Sequence, residues 1–282
     1  MQRLDFIGIG VQRAATTWVF RCLEEHPQVR GAFVSNDKEL NFFNHNYYKG
    51  YYWYHAQFEF GSWKNGEFSV LYFHDKSVPE RIYNYSPEIR LILCLRNPVD
   101  RAFSHHLHEI MRNRLPKHLY NFSKALLYNP SYIELGRYAT HLEHYLKFFS
   151  LSQIHVILYD DIISSPATVM QNLFRFLEVD DTFSPSLLEK KVNISHKYRS
   201  RTLENVMKAG SSTMQNILGD RLYRALKPTK IIFLIRRLNV AKFNENAVNS
   251  LSEEERTYLN KIFSEEIQRL TQYLKRDLSY WQ

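Results

Sequence analysis

The sequence feature that most constrains the fold is an apolar run near the start of the chain that leads, through a short loop, into a helical segment. Residues 6–9 have the sequence FIGI, which is typical of a buried strand, and residues 18–25 have the composition of a helix. The loop between them, residues 10–17, has the sequence GVQRAATT. A strand–loop–helix turn of this kind directs backbone N–H groups and a helix N-terminus at one point. The segment therefore predicts a binding site for a phosphate or sulfate group.

The side chains of this loop favour an anion site that differs from a nucleotide-triphosphate site. Arg13 supplies a fixed positive charge, and Thr16 and Thr17 supply hydroxyl donors. The loop lacks the Gly-Lys-Ser/Thr ending with which a P-loop binds magnesium and reaches the γ-phosphate. An ordinary strand-to-helix turn is the alternative interpretation.

A second apolar run, at residues 90–95, predicts another buried strand that is followed at once by a helix. Asn97 is a favourable N-cap and Pro98 a favourable first helical residue. Arg96 is then at the carboxyl end of a strand, and Ser104 is about two turns into the helix. Because open parallel sheets bind ligands at the carboxyl ends of their strands, this pair predicts a second phosphate site. The alternative is a structural ion pair of Arg96 with Asp100 or Glu109.

Strands that alternate with helices indicate an α/β fold. We predict strands at residues 5–10, 68–72, 90–95 and 154–159, separated by helices that include residues 17–25, 99–112, 132–149 and 166–177. This order is typical of a parallel, doubly wound sheet flanked by helices, in a P-loop-like arrangement. The 282 residues suit a single domain over residues 1–282, without repeats or an obvious linker. The aromatic-rich residues 42–63 predict either a loop-rich wall beside the site, suited to sugar rings, or buried core.

The two anion-binding segments together resemble those of the sulfotransferases that use 3′-phosphoadenosine 5′-phosphosulfate (PAPS), in the carbohydrate (heparan-type) and bacterial branch of that family. Residues 10–18 resemble the family's 5′-phosphosulfate loop, and residues 96–104 resemble its 3′-phosphate motif. Further similar segments follow in the family's order: KELNFF at residues 38–43, VILYDD at 156–161, LFRFL at 173–177, LSEEER at 251–256 and RDLSYW at 276–281.

The resemblance implies a sulfotransferase that moves a sulfuryl group from PAPS to a hydroxyl of a carbohydrate or similar acceptor. Adenosine 3′,5′-bisphosphate would be the product, and no metal ion is implied. In the family, the counterparts of Thr16 and Thr17 bind the 5′-phosphate and that of Trp18 lies against adenine, while a basic loop matching residues 193–201 covers the 3′-phosphate. The alternatives are helix packing for Trp18 and a solvated basic face for the loop. The donor-binding residues implied in this chain are Gln12, Arg13, Ala14, Ala15, Thr16, Thr17, Trp18, Arg96, Ser104, Lys197, Tyr198, Arg199 and Arg201.

The same resemblance implies two catalytic residues, Glu39 and Arg13. Glu39 matches the proposed general base, and its apolar neighbours would raise its pKa towards neutral pH; a surface carboxylate is the alternative. Arg13 matches the charge that neutralises the leaving phosphate. His74 is the second candidate for the base, because the small-molecule branch of the family uses a histidine. We predict no metal site, since no acidic or cysteine residue with metal-ligand spacing accompanies His105, His106 and His108.

Three positions depart from the family pattern. Arg13 replaces the usual Lys; it keeps the positive charge and can bind an oxyanion through two N–H groups. Ala15 replaces the usual Gly, so a left-handed backbone at this position would cost roughly 1 kcal/mol. Phe68 replaces a Lys that heparan-type members often have near the acceptor, which weakens the case for a glycosaminoglycan acceptor.

The net charge and the cysteine content limit the binding partners and the cellular compartment that the sequence suits. A net charge of +8 suits a polyanionic ligand, but it also suits nucleic acid. A non-enzymatic polyanion- or nucleic-acid-binding protein and a nucleotide kinase of related fold therefore stay as alternatives. The resemblance favours a small-molecule or carbohydrate acceptor and no nucleic acid, and it leaves the oligomeric state open. We predict a cytoplasmic protein on three grounds. The two cysteines show no disulfide pattern, no apolar run is long enough to span a bilayer, and the first predicted strand leaves no room for a signal peptide.

Overall fold

A parallel sheet forms the centre of the fold in this computed structural model, which describes residues 2–32, 39–188, 196–198, 240–242 and 250–282. Within those residues the sheet has five strands: β1 (Phe6–Gly10), β2 (Val29–Arg30), β3 (Lys64–Phe68), β4 (Arg90–Leu95) and β5 (Ile154–Leu158). Their order is β2-β3-β1-β4-β5, and every neighbouring pair is parallel. The predicted α/β class, a P-loop-like parallel sheet flanked by helices, is confirmed.

Helical segments join the strands, because parallel neighbours need long crossover connections. The helices are α1 (Thr16–Glu25), α2 (Gly50–His55), α3 (Val78–Tyr85), α4 (Pro98–Met111), α5 (Phe122–Tyr128), α6 (Ser131–Glu134), α7 (Tyr138–Leu146), α8 (Tyr159–Ser164), α9 (Pro166–Leu177) and α10 (Glu253–Leu274). Short 3₁₀ turns lie at Tyr47–Lys49, Tyr72–His74, Lys117–Leu119, Leu151–Gln153 and Ser279–Trp281. A search of the described helices finds none with the length and hydropathy that a membrane span requires.

The chain divides into two compact units. The first contains the sheet and comprises Met1–Ala102, Ser131–Asn193 and Glu253–Gln282. The second comprises Phe103–Pro130 and Ile194–Ser252, and in it β6 (His196–Tyr198) pairs antiparallel with β7 (Val240–Lys242). One sulfotransferase domain over residues 1–282 stays a prediction.

Glycines opposite phenylalanines set the register between β1 and β3. Phe6 pairs with Gly66, and Gly8 pairs with Phe68. A Cβ atom on Gly66 would lie 2.3 Å from the Phe6 ring, and one on Gly8 would lie 2.2 Å from the Phe68 ring. Each ring therefore covers the backbone of the opposite strand, and any larger side chain at either glycine would collide with it. Both phenylalanines are fully buried.

The strand predicted at residues 68–72 is wrong. The apolar sequence FSVLY has strand propensity, but Phe68 is the last residue of β3. The Ser69 N–H still donates to the Gly8 carbonyl at 2.9 Å, and the chain then turns, with the Tyr72 N–H bonded to the Ser69 carbonyl. The predicted strands at 5–10, 90–95 and 154–159 agree with β1, β4 and β5 to within one residue at each end.

The single helix predicted at residues 132–149 is also wrong, because α6 ends at Glu134 and α7 begins at Tyr138. Gly136 lies in the break. A Cβ atom there would come within 2.6 Å of the Phe263 ring of α10. The glycine thus permits a close approach of α10 where the helix is interrupted.

The aromatic segment at residues 42–63 supplies both core and surface. Phe42, Phe43 and Tyr54 are fully buried, and the rings of Phe42 and Tyr54 stack with their centroids 4.1 Å apart. Tyr48 and Tyr52, by contrast, are 81% and 86% exposed. The segment therefore contributes to the core, and a wall beside the site stays a prediction.

Candidate active site

The loop between β1 and α1 has the geometry of an anion-binding turn. Ala15 is the N-cap of α1 and has a left-handed backbone, with φ 59° and ψ 17°. Arg13 also has a positive φ, 70°. An alanine has no oxygen with which to cap the helix, and the first turn of α1 contains no acidic residue. The positive end of the helix dipole is therefore not offset by a carboxylate from its own first turn. The cost considered for a left-handed backbone at Ala15 therefore applies to this structure.

The second predicted segment lies beside this loop because β4 pairs with β1. The Val11 N–H donates to the Cys94 carbonyl at 2.8 Å, which continues the strand pairing into the loop. Further along, Arg96 Nη1 is 3.5 Å from the Arg13 carbonyl oxygen. Two segments more than 80 residues apart in sequence thus meet at the carboxyl edge of the sheet. This is the edge at which open α/β sheets bind their ligands.

Arg96 is held by contacts with two tyrosines. Its guanidinium carbon lies 4.4 Å from the centroid of the Tyr159 ring, and its carbonyl accepts a hydrogen bond from the Tyr138 hydroxyl at 2.9 Å. Asp100, the proposed partner in the alternative interpretation, pairs with Arg256 at 3.0 Å. In the part of the chain that the structure describes, no carboxylate forms an ion pair with Arg96, and its buried Nε atom has no hydrogen-bond partner. A charged donor in this state is suited to an anionic ligand.

Hydrogen bonds that Asn97 makes in two directions hold the turn that follows Arg96. Asn97 caps α4 as predicted, because its Oδ1 accepts from the Val99 N–H at 2.9 Å, and its amide nitrogen donates to the Trp281 carbonyl at 3.0 Å. The Trp281 indole donates in turn to Asp160 at 2.9 Å. The closing segment RDLSYW, which resembles the family's C-terminal motif, therefore helps to position the turn that carries Arg96.

Glu39 is half-buried, and the chain that follows it is held by hydrogen bonds from β3 and its turn. The Leu40 N–H donates to the Glu67 carboxylate. The Asn41 N–H donates to Ser69 Oγ at 3.0 Å, and the Phe43 N–H donates to the Tyr72 hydroxyl at 3.1 Å. Lys38 lies outside the described residues.

Glu67 was not identified by the sequence analysis, although it is the central acceptor of this network. It is fully buried and accepts from the hydroxyls of Tyr54, Ser69 and Tyr72, each at 2.8 Å. Burial raises its pKa from 4.5 to about 7, and the hydrogen bonds oppose that rise. The sequence offered little signal for Glu67, because it shares β3 with the polar residues Lys64 and Asn65, and its hydroxyl partners become visible only in the structure.

His74 lies in the 3₁₀ turn after β3 and contacts other rings. Its ring centroid is 4.7 Å from that of His141 and 5.5 Å from that of Phe73. Burial lowers the pKa of His141, whose Nε2 atom bonds to the Glu134 carbonyl. Among the described residues no group of His, Cys, Asp and Glu has an arrangement that could hold a metal ion.

Two other residues of interest are buried by packing. Phe68 lies against Gly8 and against the Phe20 ring, whose centroid is 5.6 Å away. Trp18 is 5% exposed, and its indole N–H donates to the Leu187 carbonyl at 3.2 Å. Its contact with adenine stays a prediction.

The remaining donor-site residues fall in the loop or in the second unit. Gln12 is half-buried, Ala14 and Thr16 are buried, and Thr17 is exposed. Ser104 is half-buried in the part of α4 that belongs to the second unit, where Glu109 pairs with Arg114 at 2.9 Å. Lys197 and Tyr198 are in β6, whereas Arg199 and Arg201 lie outside the described residues.

Comparisons with known proteins agree with this geometry. The family described as "Sulfotransferase domain" matches residues 3–271. Heparan sulfate glucosamine 3-O-sulfotransferase 5 of Homo sapiens is 32% identical over 192 residues, which are 63% of this chain and 54% of that protein. Bifunctional heparan sulfate N-deacetylase/N-sulfotransferase 4 of Mus musculus is 31% identical over 199 residues, or 64% of this chain and 23% of that protein. The chain thus spans about half, or less, of the length of these relatives.

Solved structures show the same fold. A sulfotransferase from Alicyclobacillus acidocaldarius superposes with a TM-score of 0.69 at 21% identity, covering 100% of this chain and 99% of that one. A mouse sulfotransferase complexed with PAP gives a TM-score of 0.51 at 12% identity, covering 95% of this chain and 85% of that one.

Proposed function

Since the chain belongs to the sulfotransferase-domain family, we propose that it transfers a sulfuryl group from PAPS to a hydroxyl of a carbohydrate acceptor. One observation carries the proposal. Arg96 and the Arg13–Ala15 part of the β1–α1 loop meet at one edge of the sheet, and the described residues provide no carboxylate partner for Arg96. The helix at this edge has neither a side-chain cap nor an acidic first turn. These residues fit a ligand with more than one anionic group.

The loop and the start of α1 supply the groups that transfer would require. The backbone amides of the loop and the hydroxyls of Thr16 and Thr17 suit the 5′-phosphosulfate, which PAPS supplies as the reactive group when it is bound. Arg13 offsets the negative charge that develops on the leaving phosphate oxygen, as preorganised charges do in related transfers. Glu39 accepts the proton of the acceptor hydroxyl at its carboxylate. No step of this scheme needs a metal ion.

The acceptor proposed here is a polysaccharide or oligosaccharide of the heparan type. The support is the similarity to relatives whose names specify heparan sulfate, although the chain covers only 54% and 23% of two of them. The exposed rings of Tyr48 and Tyr52 add faces on which a sugar can lie. One observation argues against a heparan-type acceptor: Phe68, at the position where heparan-type members often have Lys, is buried in the core. Donor-dependent sulfation should therefore be tested on desulfated heparan chains and, in parallel, on simple phenols.

The donor assignment is tested by calorimetry. Adenosine 3′,5′-bisphosphate should bind at least about tenfold more tightly than 5′-AMP, because a charged hydrogen bond contributes roughly 1.5–3 kcal/mol. Arg96→Ala should remove most of this preference while leaving the affinity for 5′-AMP nearly unchanged. Ser104→Ala should have a smaller effect, since it removes a neutral donor. Equal affinities of the wild-type protein for the two nucleotides would contradict the assignment of Arg96 and Ser104.

The same calorimetric titrations distinguish the sulfotransferase from the two alternative functions, a nucleotide kinase and a non-enzymatic polyanion-binding protein. A nucleotide kinase would bind ATP with magnesium in preference to adenosine 3′,5′-bisphosphate. A non-enzymatic polyanion-binding protein would show no nucleotide preference and a steep loss of affinity with salt. A cytoplasmic location stays a prediction.

A further inference from the structure

A buried cluster links the core of the sheet to residues 40–43, the segment that follows the proposed base Glu39. The cluster consists of Glu67, Tyr54, Ser69 and Tyr72. Tyr54 and Tyr72 both donate to Oε1 of Glu67, and Ser69 donates to Oε2. All four side chains lie at buried positions. Burying a carboxylate is unfavourable unless it is well hydrogen-bonded. A glutamate at this core position therefore needs an explanation other than packing.

The cluster is bonded to consecutive parts of the segment that follows Glu39. Glu67 itself accepts the Leu40 N–H. Ser69 Oγ donates to Glu67 and accepts the Asn41 N–H, while the Tyr72 hydroxyl donates to Glu67 and accepts the Phe43 N–H. Each hydroxyl therefore bridges two groups, because it donates its proton to the carboxylate and accepts a hydrogen bond from a backbone amide. The carboxylate orients both hydroxyls as acceptors.

The carbonyl side of the same segment is held by different residues. Arg81 donates to the Phe43 carbonyl at 2.7 Å, and the Asn46 side chain donates to the Leu40 carbonyl at 2.8 Å. The Asn46 N–H donates to the Asn41 carbonyl at 2.9 Å. The segment is thus held on both sides, and in the part of the chain that the structure describes the amides of Leu40, Asn41 and Phe43 all bond to the Glu67 cluster.

We infer that Glu67 is a positioning residue for sulfuryl transfer, which acts through Ser69 and Tyr72 to hold the backbone of residues 40–43 and, with it, the carboxylate of Glu39. Glu67 touches neither donor nor acceptor in this scheme. The inference rests on the proposed function for its catalytic part, whereas the backbone clamp itself can be measured without any activity.

Two buried tyrosines provide a matched pair for the test. Tyr72→Phe removes a hydrogen bond to Glu67 and also leaves the Phe43 N–H without its acceptor. Tyr54→Phe removes a hydrogen bond to the same Glu67 oxygen but none to residues 40–43. A purely structural cluster would make the two variants equivalent in activity. A positioning cluster should lower kcat about tenfold more in Tyr72→Phe than in Tyr54→Phe, since small misplacements of a catalytic group reduce turnover strongly. The affinity for adenosine 3′,5′-bisphosphate should be the same in both.

Glu67→Gln should lower kcat at least as much as Tyr72→Phe, with an unchanged KM for PAPS. If that variant does not fold, the tyrosine pair still decides the question. Equal kcat values for the two tyrosine variants, or a change confined to KM for PAPS, would overturn the inference.

Amide hydrogen exchange separates this inference from the proposed function. Exchange at Phe43 should be faster in Tyr72→Phe than in wild type and unchanged in Tyr54→Phe, whether or not the protein transfers sulfuryl groups. If wild type transfers no label but this exchange pattern holds, the proposed function fails and the clamp stands. If the two variants exchange alike, the clamp fails even when the enzyme is active.

Discussion

Replacing Ala15 by glycine should stabilise the protein, although glycine gives the unfolded chain more conformational freedom than alanine does. Ala15 has φ 59° and ψ 17°, a left-handed conformation that residues other than glycine rarely adopt. That conformation costs a non-glycine residue about 1–2 kcal/mol. Glycine removes the strain but loses more backbone entropy on folding, which costs about 0.4–1 kcal/mol. The net expectation is an increase of about 0.5–1 kcal/mol in the free energy of unfolding, or a rise in Tm of about 2 °C for a chain of this size.

The neighbouring alanine is the control. Ala14 is fully buried and is not among the described residues with a positive φ. Ala14→Gly should therefore lower the free energy of unfolding by about 1–2 kcal/mol, since it adds backbone freedom and removes a buried methyl group. Urea denaturation followed by tryptophan fluorescence measures both variants. The sign of the change, positive at residue 15 and negative at residue 14, is the essential result.

One outcome would refute this reasoning, and a second would show that Ala15 has a separate role in ligand binding. If Ala15→Gly destabilises the protein as much as Ala14→Gly does, the left-handed backbone at Ala15 is not strained or not present. If Ala15→Gly stabilises the protein but abolishes binding of adenosine 3′,5′-bisphosphate, the alanine shapes the loop for its ligand in a way that the backbone angles do not explain.

The remaining predictions concern the catalytic residues and the buried carboxylate. Arg13→Lys should keep or raise turnover because the charge is retained, whereas Arg13→Ala should lower kcat by about 10²–10³-fold in a steady-state transfer assay; near-normal turnover of the Ala variant would exclude Arg13. Glu39→Gln should lower kcat by about 10²–10⁴-fold with donor affinity unchanged, and His74→Ala should have the smaller effect; the reverse order would make His74 the base. Glu67 has a pKa of about 7 in the folded protein against 4.5 for the free group, so the folded protein binds the Glu67 proton more tightly than the unfolded chain does. The stability that this proton contributes is complete below pH 4.5 and is lost as the pH rises through 7. Wild type should therefore lose about 3 kcal/mol relative to Glu67→Gln between pH 4.5 and 8, and parallel stability curves would contradict this.

The parts of the site that follow from local sequence were predictable. The N-cap of α4 at Asn97 and the proline that follows it are properties of a few adjacent residues, and each is observed. The placement of Arg96 at the carboxyl end of β4 follows from the length of one apolar run. These features depend on backbone geometry and capping, which act within a few residues.

The parts that depend on contacts between distant residues were not predictable. The apolar run at residues 68–72 has the propensity of a strand, yet β3 ends at residue 68 and the chain turns, with the Tyr72 N–H bonded to the Ser69 carbonyl. The contact of Asn97 with Trp281 joins residues 184 positions apart. Glu67 appeared as an isolated acidic residue, because its partners Tyr54 and Tyr72 become neighbours only after the sheet and α2 have formed. Tertiary packing decides these features, and local propensity is a weak guide to them.

The same limit applies to the acceptor. Phe68 indicated a departure from heparan-type members, and its burial against Gly8 and Phe20 explains how the fold uses the substituted residue. That burial does not select an acceptor, since the exposed rings of Tyr48 and Tyr52 suit many sugars. The choice of glycan therefore depends on direct measurement.

The most direct test of the central claim is a single-turnover transfer reaction with ³⁵S-labelled PAPS and a desulfated heparan polysaccharide. Enzyme in excess over donor should move the label into the polysaccharide and release adenosine 3′,5′-bisphosphate in equal amounts, without added metal and in the presence of a chelator. Glu39→Gln should bind the same donor and transfer the label much more slowly. Release of the nucleotide without labelled polysaccharide or any other labelled acceptor, or the absence of both in a protein that is folded, would contradict the account.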